Sequence, residues 1–584
     1  MSDVNSSQTA HLAGEADYAG KPYGLMLITA GFSAFLLYSL YQWALPKPIP
    51  GIPYDPRSTR GIFGDLPDLA GEFARTGDLS SWFHRRAAGF DSPVCQVFLR
   101  PLAPPVVLLS DFREAQDICM RRREFDRGSM MRDIFKGPTP NHQITMLTGE
   151  EWKSHRRLLQ DLMSPPFLRD VAAAAIYTKV VNLVDLWDKK TRIADGRPFD
   201  ASQDIFYAAL DAVTAFCFGD DFPHNATKPV ADHINGLNDD DIARLRGAAS
   251  IDEAIEFTTV ACDEVITATL DVSLNIERLH GSPFPVWKWK VISKLPPLNK
   301  TLRLKNQFIV AELKKAVDRK KQHGRDDTWM HSAVDLMLFG VITGGHDTTS
   351  TTMLWGLKFL ADHPEYQAKL RRAMENGFSA ARAAKRNLRI GEIMHINVPY
   401  LYASMEEIMR CAGTAPFTER EAMSDTTLLG HHIPKGTKVF CLSQGASIKS
   451  PAHDIDESRR SETARLAAKN RGKVPQWDPV DIAEFNPERW LVPVAPESGK
   501  GEPNGTRLSV EFDSAAGPQI SFGLGKRSCF GKRLAYVELR IILSLIVWNF
   551  EILRCPEALS GYEAKDYVTH KPLKNYVRLR KVER

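Results

Sequence analysis

Ten residues, Phe522-Gly523-Leu524-Gly525-Lys526-Arg527-Ser528-Cys529-Phe530-Gly531, constrain this chain more than any other stretch. One cysteine sits among glycines and cations, and an apolar helical run follows at once (Leu534, Val537, Ile541, Leu545). Such a loop delivers a sulfur to a fixed point. Gly523 and Gly525 can take positive φ and let the backbone turn tightly beneath something flat. Cys529 at the start of the following helix would meet unpaired backbone N–H groups and the positive dipole end. Both favour thiolate over thiol, and the N–H groups can hydrogen-bond the sulfur and tune a metal on it. Gly531 leaves room for a large planar ligand, and Arg527 can pair with a carboxylate of that ligand.

The 584 residues suffice for one very large domain or a few ordinary ones. A net charge of +4 is small for this length and does not argue for nucleic acid. The eight cysteines are scattered with no C-x-x-C pair, which speaks against zinc or a redox dithiol and for buried free thiols in a reducing compartment.

Residues 1–22 are polar and aperiodic, a disordered tail by composition. Residues 23–45 carry no charge, and at about 1.5 Å per residue they span the roughly 30 Å core of a bilayer. Tyr38, Tyr41 and Trp43 cluster at one end as an interfacial belt would. Lys47, Arg57 and Arg60 follow the span, so the bulk of the chain is expected in the cytosol, with Asn5 a glycosylation acceptor on the far side. The sequons at Asn225, Asn299 and Asn504 then stay unmodified. Alternating prolines make residues 46–60 a stiff, extended connector.

Further along, Val94–Arg100 and Pro105–Ser110 are β-prone runs that suggest a hairpin. The loop Arg127–Thr148, with Met130, Met131, Ile134 and Phe135, suits either a lid over an apolar substrate or plain packing. Glu151–Leu162 reads as a helix with Trp152 and Arg156 on one face. Residues 165–325 are mostly helical by pattern. The aromatics and lysines of residues 283–290 suit a membrane interface or a buried strand-like connector. Trp329–His363 reads as one long apolar helix interrupted by Gly344-Gly345-His346-Asp347-Thr348-Thr349. Two glycines there cost about 1 kcal/mol each relative to alanine, which points to a packing or functional reason. A local widening would leave a groove for a small molecule, with Thr348 offering a hydroxyl and Asp347 relaying a proton behind it. Glu407 and Arg410 share a helical face, and Phe485-Asn486-Pro487-Glu488-Arg489-Trp490 follows at a distance. Residues 454–474 and 496–514 read as exposed insertions.

The cysteine loop fills every fixed position of Phe-Gly-x-Gly-x-Arg-x-Cys-x-Gly, and the chain resembles the cytochrome P-450 family of haem-thiolate monooxygenases from the apolar N-terminal segment to the C-terminus. Five motifs stand in the family's order. The resemblance implies a mainly α fold, a triangular helical domain with a small β region (61–584), behind a single N-terminal transmembrane helix (23–45) and a proline-rich hinge (46–60). It implies haem b with Cys529 as the thiolate ligand of iron, and Phe522, Arg527 and Gly531 beside the cofactor. Trp152, Arg156 and Arg420 would serve the propionates. Asp347 and Thr348 would handle protons for oxygen activation. Glu407, Arg410 and Arg489 would form a structural triad. Ala415 to Phe417 and the tip of a hairpin near residues 567–572 would face substrate.

The activity implied is insertion of one oxygen atom of O2 into an apolar small molecule. Insertions like those here are familiar in fungal members, which suggests secondary metabolism. The chain has no flavin or nicotinamide fingerprint, so electrons are expected from an NADPH–cytochrome reductase at the endoplasmic reticulum membrane. Lys153, Arg157, Lys526, Lys532 and Arg533 form either its docking face or an ordinary solvated one. Two rival readings are a reductase-independent isomerase or dehydratase acting on a peroxide, and a non-catalytic haem-binding protein. The Asp347–Thr348 pair argues against both.

Overall fold

The computed structural model describes residues 21–583 except 141, 220–221, 248–249, 283, 324–334, 473 and 495–509. The polar tail with Asn5, the start of the long central helix, Asn504 and most of the stretch 496–514 lie outside the described residues.

The central helix, Asp335–Asp362, is apolar through its middle and stops ahead of Pro364, whose ring starts the next helix, Pro364–Gly377. The helices Ser202–Phe218, Pro399–Ala412 and Lys532–Asn549 pack directly on it, beside lighter contacts from Pro364–Gly377 and Pro296–His323. Glycine sets how close they come. A Cβ on Gly345 would stand 2.8 Å from Val213 Cγ2, and one on Gly356 would stand 3.0 Å from Ile408 Cδ1. The long helix Ala173–Ala194 packs behind Ser202–Phe218 and Lys532–Asn549, with Trp187 fully buried between them. Each fully buried leucine or isoleucine here contributes about 1.5–3 kcal/mol by area removed from water.

While the strands Phe199–Asp200, Phe550–Leu553 and Tyr576–Lys581 join this helical core, the β region packs its largest sheet in hydrophobic clusters of its own. Its five-stranded sheet runs in the order Val94–Val97, Val106–Leu109, Lys438–Leu442, Phe417–Ala422, Phe125–Arg127. The expected first hairpin is its edge, and its second strand pairs in parallel with Lys438–Leu442. Near the C-terminus a two-stranded hairpin, Ala564–Asp566 with His570–Pro572, reaches back to the central helix.

The N-terminal helix Lys21–Ala44 contains the one segment among the described residues long and apolar enough to cross a membrane, Leu25–Ala44, and none of it is buried. The connector after it is stitched to the first hairpin. Gln96 accepts from Ile49 N at 2.8 Å and donates to the carbonyls of Ile49 and Ile52 at 2.9 and 2.8 Å.

Three readings change. Residues 285–292 are a helix, not a strand-like connector, with Phe284 and Trp287 outward and Trp289 packed on Gly137. Residues 454–474 are not a plain exposed insertion. They hold a helix, Glu462–Arg471, and Arg460 is buried against Asp111 at 2.7 Å while Ser461 and Thr463 bond Asp117. Phe417 stacks face to face on Phe440, with centroids 4.0 Å apart, so its ring belongs to the sheet core rather than to a substrate face.

The charge network on the helix Pro399–Ala412 is complete. Glu407 accepts from Arg410 Nη2 at 2.7 Å, Arg410 Nε at 2.8 Å, Arg489 Nε at 3.1 Å, Trp490 Nε1 at 2.9 Å and Asn486 N at 2.8 Å. Arg410 also donates to the carbonyls of Ile448, Ile482 and Glu484. Burial alone would raise the Glu407 carboxyl. The hydrogen bond from Arg410 and the charges of Arg410 and Arg489 outweigh it and hold the group below its ordinary range. Removing one partner of such a buried set costs about 3–5 kcal/mol, so Arg489→Ala should lower the urea midpoint accordingly. Arg489→Lys should recover only part of that loss, because an ammonium lacks the planar fork.

Candidate active site

The cysteine loop turns as its glycines allow. Gly523 has φ +61° and Gly525 φ +71°, and a Cβ on Gly525 would lie 2.2 Å from the carbonyl oxygen of Cys119. The loop closes through Gly523 N to Ile520 O (2.8 Å), Ser528 N to Gly525 O (3.0 Å) and Cys529 N to Phe522 O (2.8 Å).

The helix begins at Lys532, capped by Gly531, so Cys529 precedes the first turn instead of opening it. The N–H of Gly531 still reaches the sulfur. Burial is the larger influence and pushes the Cys529 thiol up, against that N–H and the cations Arg127, Arg156 and Lys532. The expectation that a helix start at Cys529 favours thiolate over thiol is therefore corrected: burial outweighs that influence, and a ligated metal ion would supply the deprotonation. Cys529 nevertheless has an open side. Within 4 Å, a Cβ on Gly531 would meet only the sulfur itself, at 4.0 Å. A side chain enclosed by cations yet open on one side suits a ligand that slides in over it. Phe522 leans on Tyr536 at 5.5 Å between ring centroids.

Around this loop the sheet and the helix Glu150–Leu159 collect guanidinium groups. Arg127 and Arg420 stand directly opposite each other in the antiparallel register of their strands, where like charges repel. Arg127 donates to Arg527 O at 3.2 Å, Arg156 to Lys526 O at 3.0 Å, Arg420 to Glu419 O at 2.8 Å and Arg527 to Met146 O at 2.6 Å. Trp152 is buried between two of them, its ring centroid 5.2 Å from Arg156 Cζ and 4.6 Å from Arg527 Cζ. The nearest acids are committed: Asp126 to Thr148 and Arg127 N, and Glu419 to the N–H groups of Met130 and Met131. Arg127 Nε and Arg527 Nε and Nη1 are buried without a hydrogen-bond acceptor. Burial first, then neighbouring Arg420, pushes Arg127 down to about 10; burial, then Arg127, pushes Arg527 down to about 9. Cations held this way fit a group that brings carboxylates with it.

On the central helix, a Cβ at Gly344 would meet nothing within 4 Å, although Ile342, Thr343, His346 and Asp347 around it are buried. The expected widening is corrected: the helix stays α through this segment, and the clearance comes from the missing side chain of Gly344. Thr348 faces the same side, its hydroxyl donating to Gly344 O at 2.8 Å. Asp347 turns the other way. It accepts from Thr569 at 2.8 Å and pairs with Lys571 Nζ at 2.7 Å, both on the C-terminal hairpin.

Sequence reasoning missed Arg127, Lys571 and Glu277, whose carboxylate also holds Lys571. No local pattern marks them; strand register reveals the first, and tertiary packing the others.

A mainly helical domain that holds one sulfur under a glycine turn, amid carboxylate-seeking guanidiniums, has the architecture of a haem-thiolate protein. The chain belongs to the cytochrome P450 family and is a monooxygenase of that family: the family model "Cytochrome P450" matches residues 69–241, 290–448 and 482–575, more than half of the chain. It is 39% identical over 96% of its length, and 99% of the relative's, to cytochrome P450 monooxygenase TRI13 of Fusarium sporotrichioides. It is 35% identical to cytochrome P450 monooxygenase GME11363 of Pestalotiopsis microspora, over 93% of this chain and 96% of that one. The crystal structure of the cytochrome P450DA haem domain shares the fold, with a TM-score of 0.61 at 16% identity over 92% of this chain and 98% of that one. Family and fold imply haem held by a cysteine thiolate.

The cluster, offset only in part by Asp126 at 3.7 Å from Arg527 Nε, gives a two-sided expectation. Arg127→Met should hold or raise the unfolding midpoint of the haem-free chain, because one repelling charge is gone. It should also speed haem transfer to apomyoglobin by about tenfold, the worth of one charge-assisted hydrogen bond of ~1.5 kcal/mol.

Proposed function

We propose that Cys529 is the axial ligand of haem iron. In this reading the enzyme is anchored by residues 23–45 in the endoplasmic reticulum membrane with its catalytic domain in the cytosol. It inserts oxygen into an apolar small molecule of fungal secondary metabolism, using electrons from a separate NADPH-dependent reductase. The observation that carries the assignment is the pairing of an open-sided, enclosed sulfur with buried guanidiniums that lack acceptors.

Bound there, haem would supply dioxygen activation, with the thiolate donating electron density. Trp152, Arg127, Arg156, Arg420 and Arg527 would hold its propionates, and Gly531 would leave it clearance beside the sulfur. Phe522, packed on Tyr536, would support the cysteine loop. Thr348 holds a hydroxyl at the clearance left by Gly344, and Asp347 behind it exchanges protons with the interior. Apolar side chains of the cover, among them Met131, Ile144 and Val568, pack together and exclude water from a substrate whose position decides the carbon oxidised. Phe284 and Trp287 stand exposed beside Lys288 and Lys290, a surface suited to resting on the membrane near the anchor.

The reduced protein with carbon monoxide should show the strongly red-shifted Soret band of thiolate-ligated haem, lost in Cys529→Ala. A shorter-wavelength band in folded wild type would remove Cys529 from the iron.

Lys153, Arg157, Lys526, Lys532 and Arg533 are all exposed on the cysteine side and suit an acidic reductase. Reversing Lys532 and Arg533 to glutamate should slow reductase-supported turnover by about tenfold at low salt, with the gap closing as salt rises. An unchanged rate and salt dependence would discard this docking face. The carbon monoxide spectrum would control for haem loss.

A further inference from the structure

The C-terminal hairpin carries a charge into the interior. Lys571 Nζ lies 2.5 Å from Glu277 Oε1, on the helix Glu264–His280, and 2.7 Å from Asp347 Oδ1, on the central helix. All three side chains are largely buried, with 23%, 12% and 12% of their surface exposed for lysine, glutamate and aspartate. Phe206 and Tyr567 flank the ammonium, their ring centroids 5.9 and 5.1 Å away. Thr569 of the same hairpin donates to Asp347 Oδ2 at 2.8 Å and bonds Thr351 at 3.2 Å. Both carboxylate oxygens of Asp347 are thus engaged by the hairpin, whereas the Thr348 hydroxyl bonds its own helix at Gly344 O.

We infer that Lys571 and Glu277 are positioning residues for Asp347: they clasp the hairpin to the central helix and keep the carboxylate turned from Thr348 until Glu277 alone holds the lysine. The inference rests on the proton-handling role proposed above for Asp347 and Thr348. Two carboxylates share one ammonium. When Asp347 leaves, Glu277 remains as counter-ion, and no bare cation is left in the interior. A single carboxylate would make that exchange costly. The burial of Lys571 works against its charge, and the two acids outweigh it and raise its basicity.

The test uses the full-length, haem-loaded protein in detergent. Amide exchange of residues 564–572 should be about tenfold faster in Lys571→Met and within about twofold of wild type in Lys571→Arg. Glu277→Gln and Asp347→Asn should each fall between, because the ammonium keeps one partner. Wild-type exchange in Lys571→Met overturns the clasp. If that variant does not fold, Glu277→Gln/Asp347→Asn, which also strips the ammonium of partners, takes its place with the same criterion.

The second readout is hydrogen peroxide released per NADPH consumed with added reductase, which requires no known substrate. Glu277→Gln commits Lys571 to Asp347 and should raise this ratio at least about twofold; adding Lys571→Met should return it toward wild type. A merely structural role would make the double variant worse. A wild-type ratio in Glu277→Gln, or a double variant worse than the single one, overturns the positioning of Asp347. A wild-type ratio in Asp347→Asn instead defeats the proton-handling role, and the exchange data still decide the clasp.

Discussion

Cations buried around the cysteine loop are the constraint on which this structure turns. Arg127 and Arg420 are fixed opposite each other by strand register, so neither can move away without breaking the ladder. Arg527 is fixed by a glycine turn pressed against the Cys119 carbonyl, and Arg156 by its helix and its stacking on Trp152. Backbone rules that leave little freedom thus concentrate charge in one place. The chain accepts that cost at rest, and in the proposed reading a ligand bearing carboxylates would repay it on binding. The site is therefore preorganised by the fold rather than assembled by the ligand.

The Glu407 network shows the contrast. It also buries arginines, but Glu407 receives five N–H donors and Arg410 spends its remaining hydrogens on three carbonyls. Nothing there seeks a ligand, and the network locks the helix Pro399–Ala412 to the segment that leads into the cysteine loop. The two sets of buried charge separate once acceptors are counted. The closed set stabilises, and the open set is the one proposed to bind.

Legibility in the sequence followed the range of each interaction. Cys529, the positive φ of Gly523 and Gly525, the helix carrying Trp152 and Arg156, and the 28-residue central helix are written locally, in spacing and residue type. Glu407 and Arg410 are three apart on one helix and equally visible. Arg127 was hidden because its significance lies in a strand pairing with a distant segment, and Lys571 because its two acids come from two other helices. Residues 285–292 misled for another reason: alternating aromatics and lysines imitate a strand period, and a proline at the helix start together with packing on Gly137 decides for helix. The supposed widening at Gly344-Gly345 conflated two effects. Gly345 is small so that Val213 can approach, and Gly344 is small so that nothing does.

That last distinction bears on how such an enzyme keeps a rigid floor under an adaptable cover. The floor is made of close contacts: Gly525 on the Cys119 carbonyl and Gly345 on Val213, where an added methyl group forces a shift, and Gly356 on Ile408, where the isoleucine side chain would have to give way. The cover gathers Met131, Ile144, Val568 and the helices around Val272 and Ile309, from segments far apart in the chain. In the proposed reading, flexible side chains joining separate elements would repack around different substrates, while the loop that holds the sulfur stays fixed. The hairpin that carries Lys571 touches both layers, through Val568 above and Asp347 below. A change in that apolar cluster can therefore reach the acid beside Thr348 through the hairpin, because the same few residues serve packing and charge, and the helix Glu264–His280 joins the two in the same way through Val272 and Glu277.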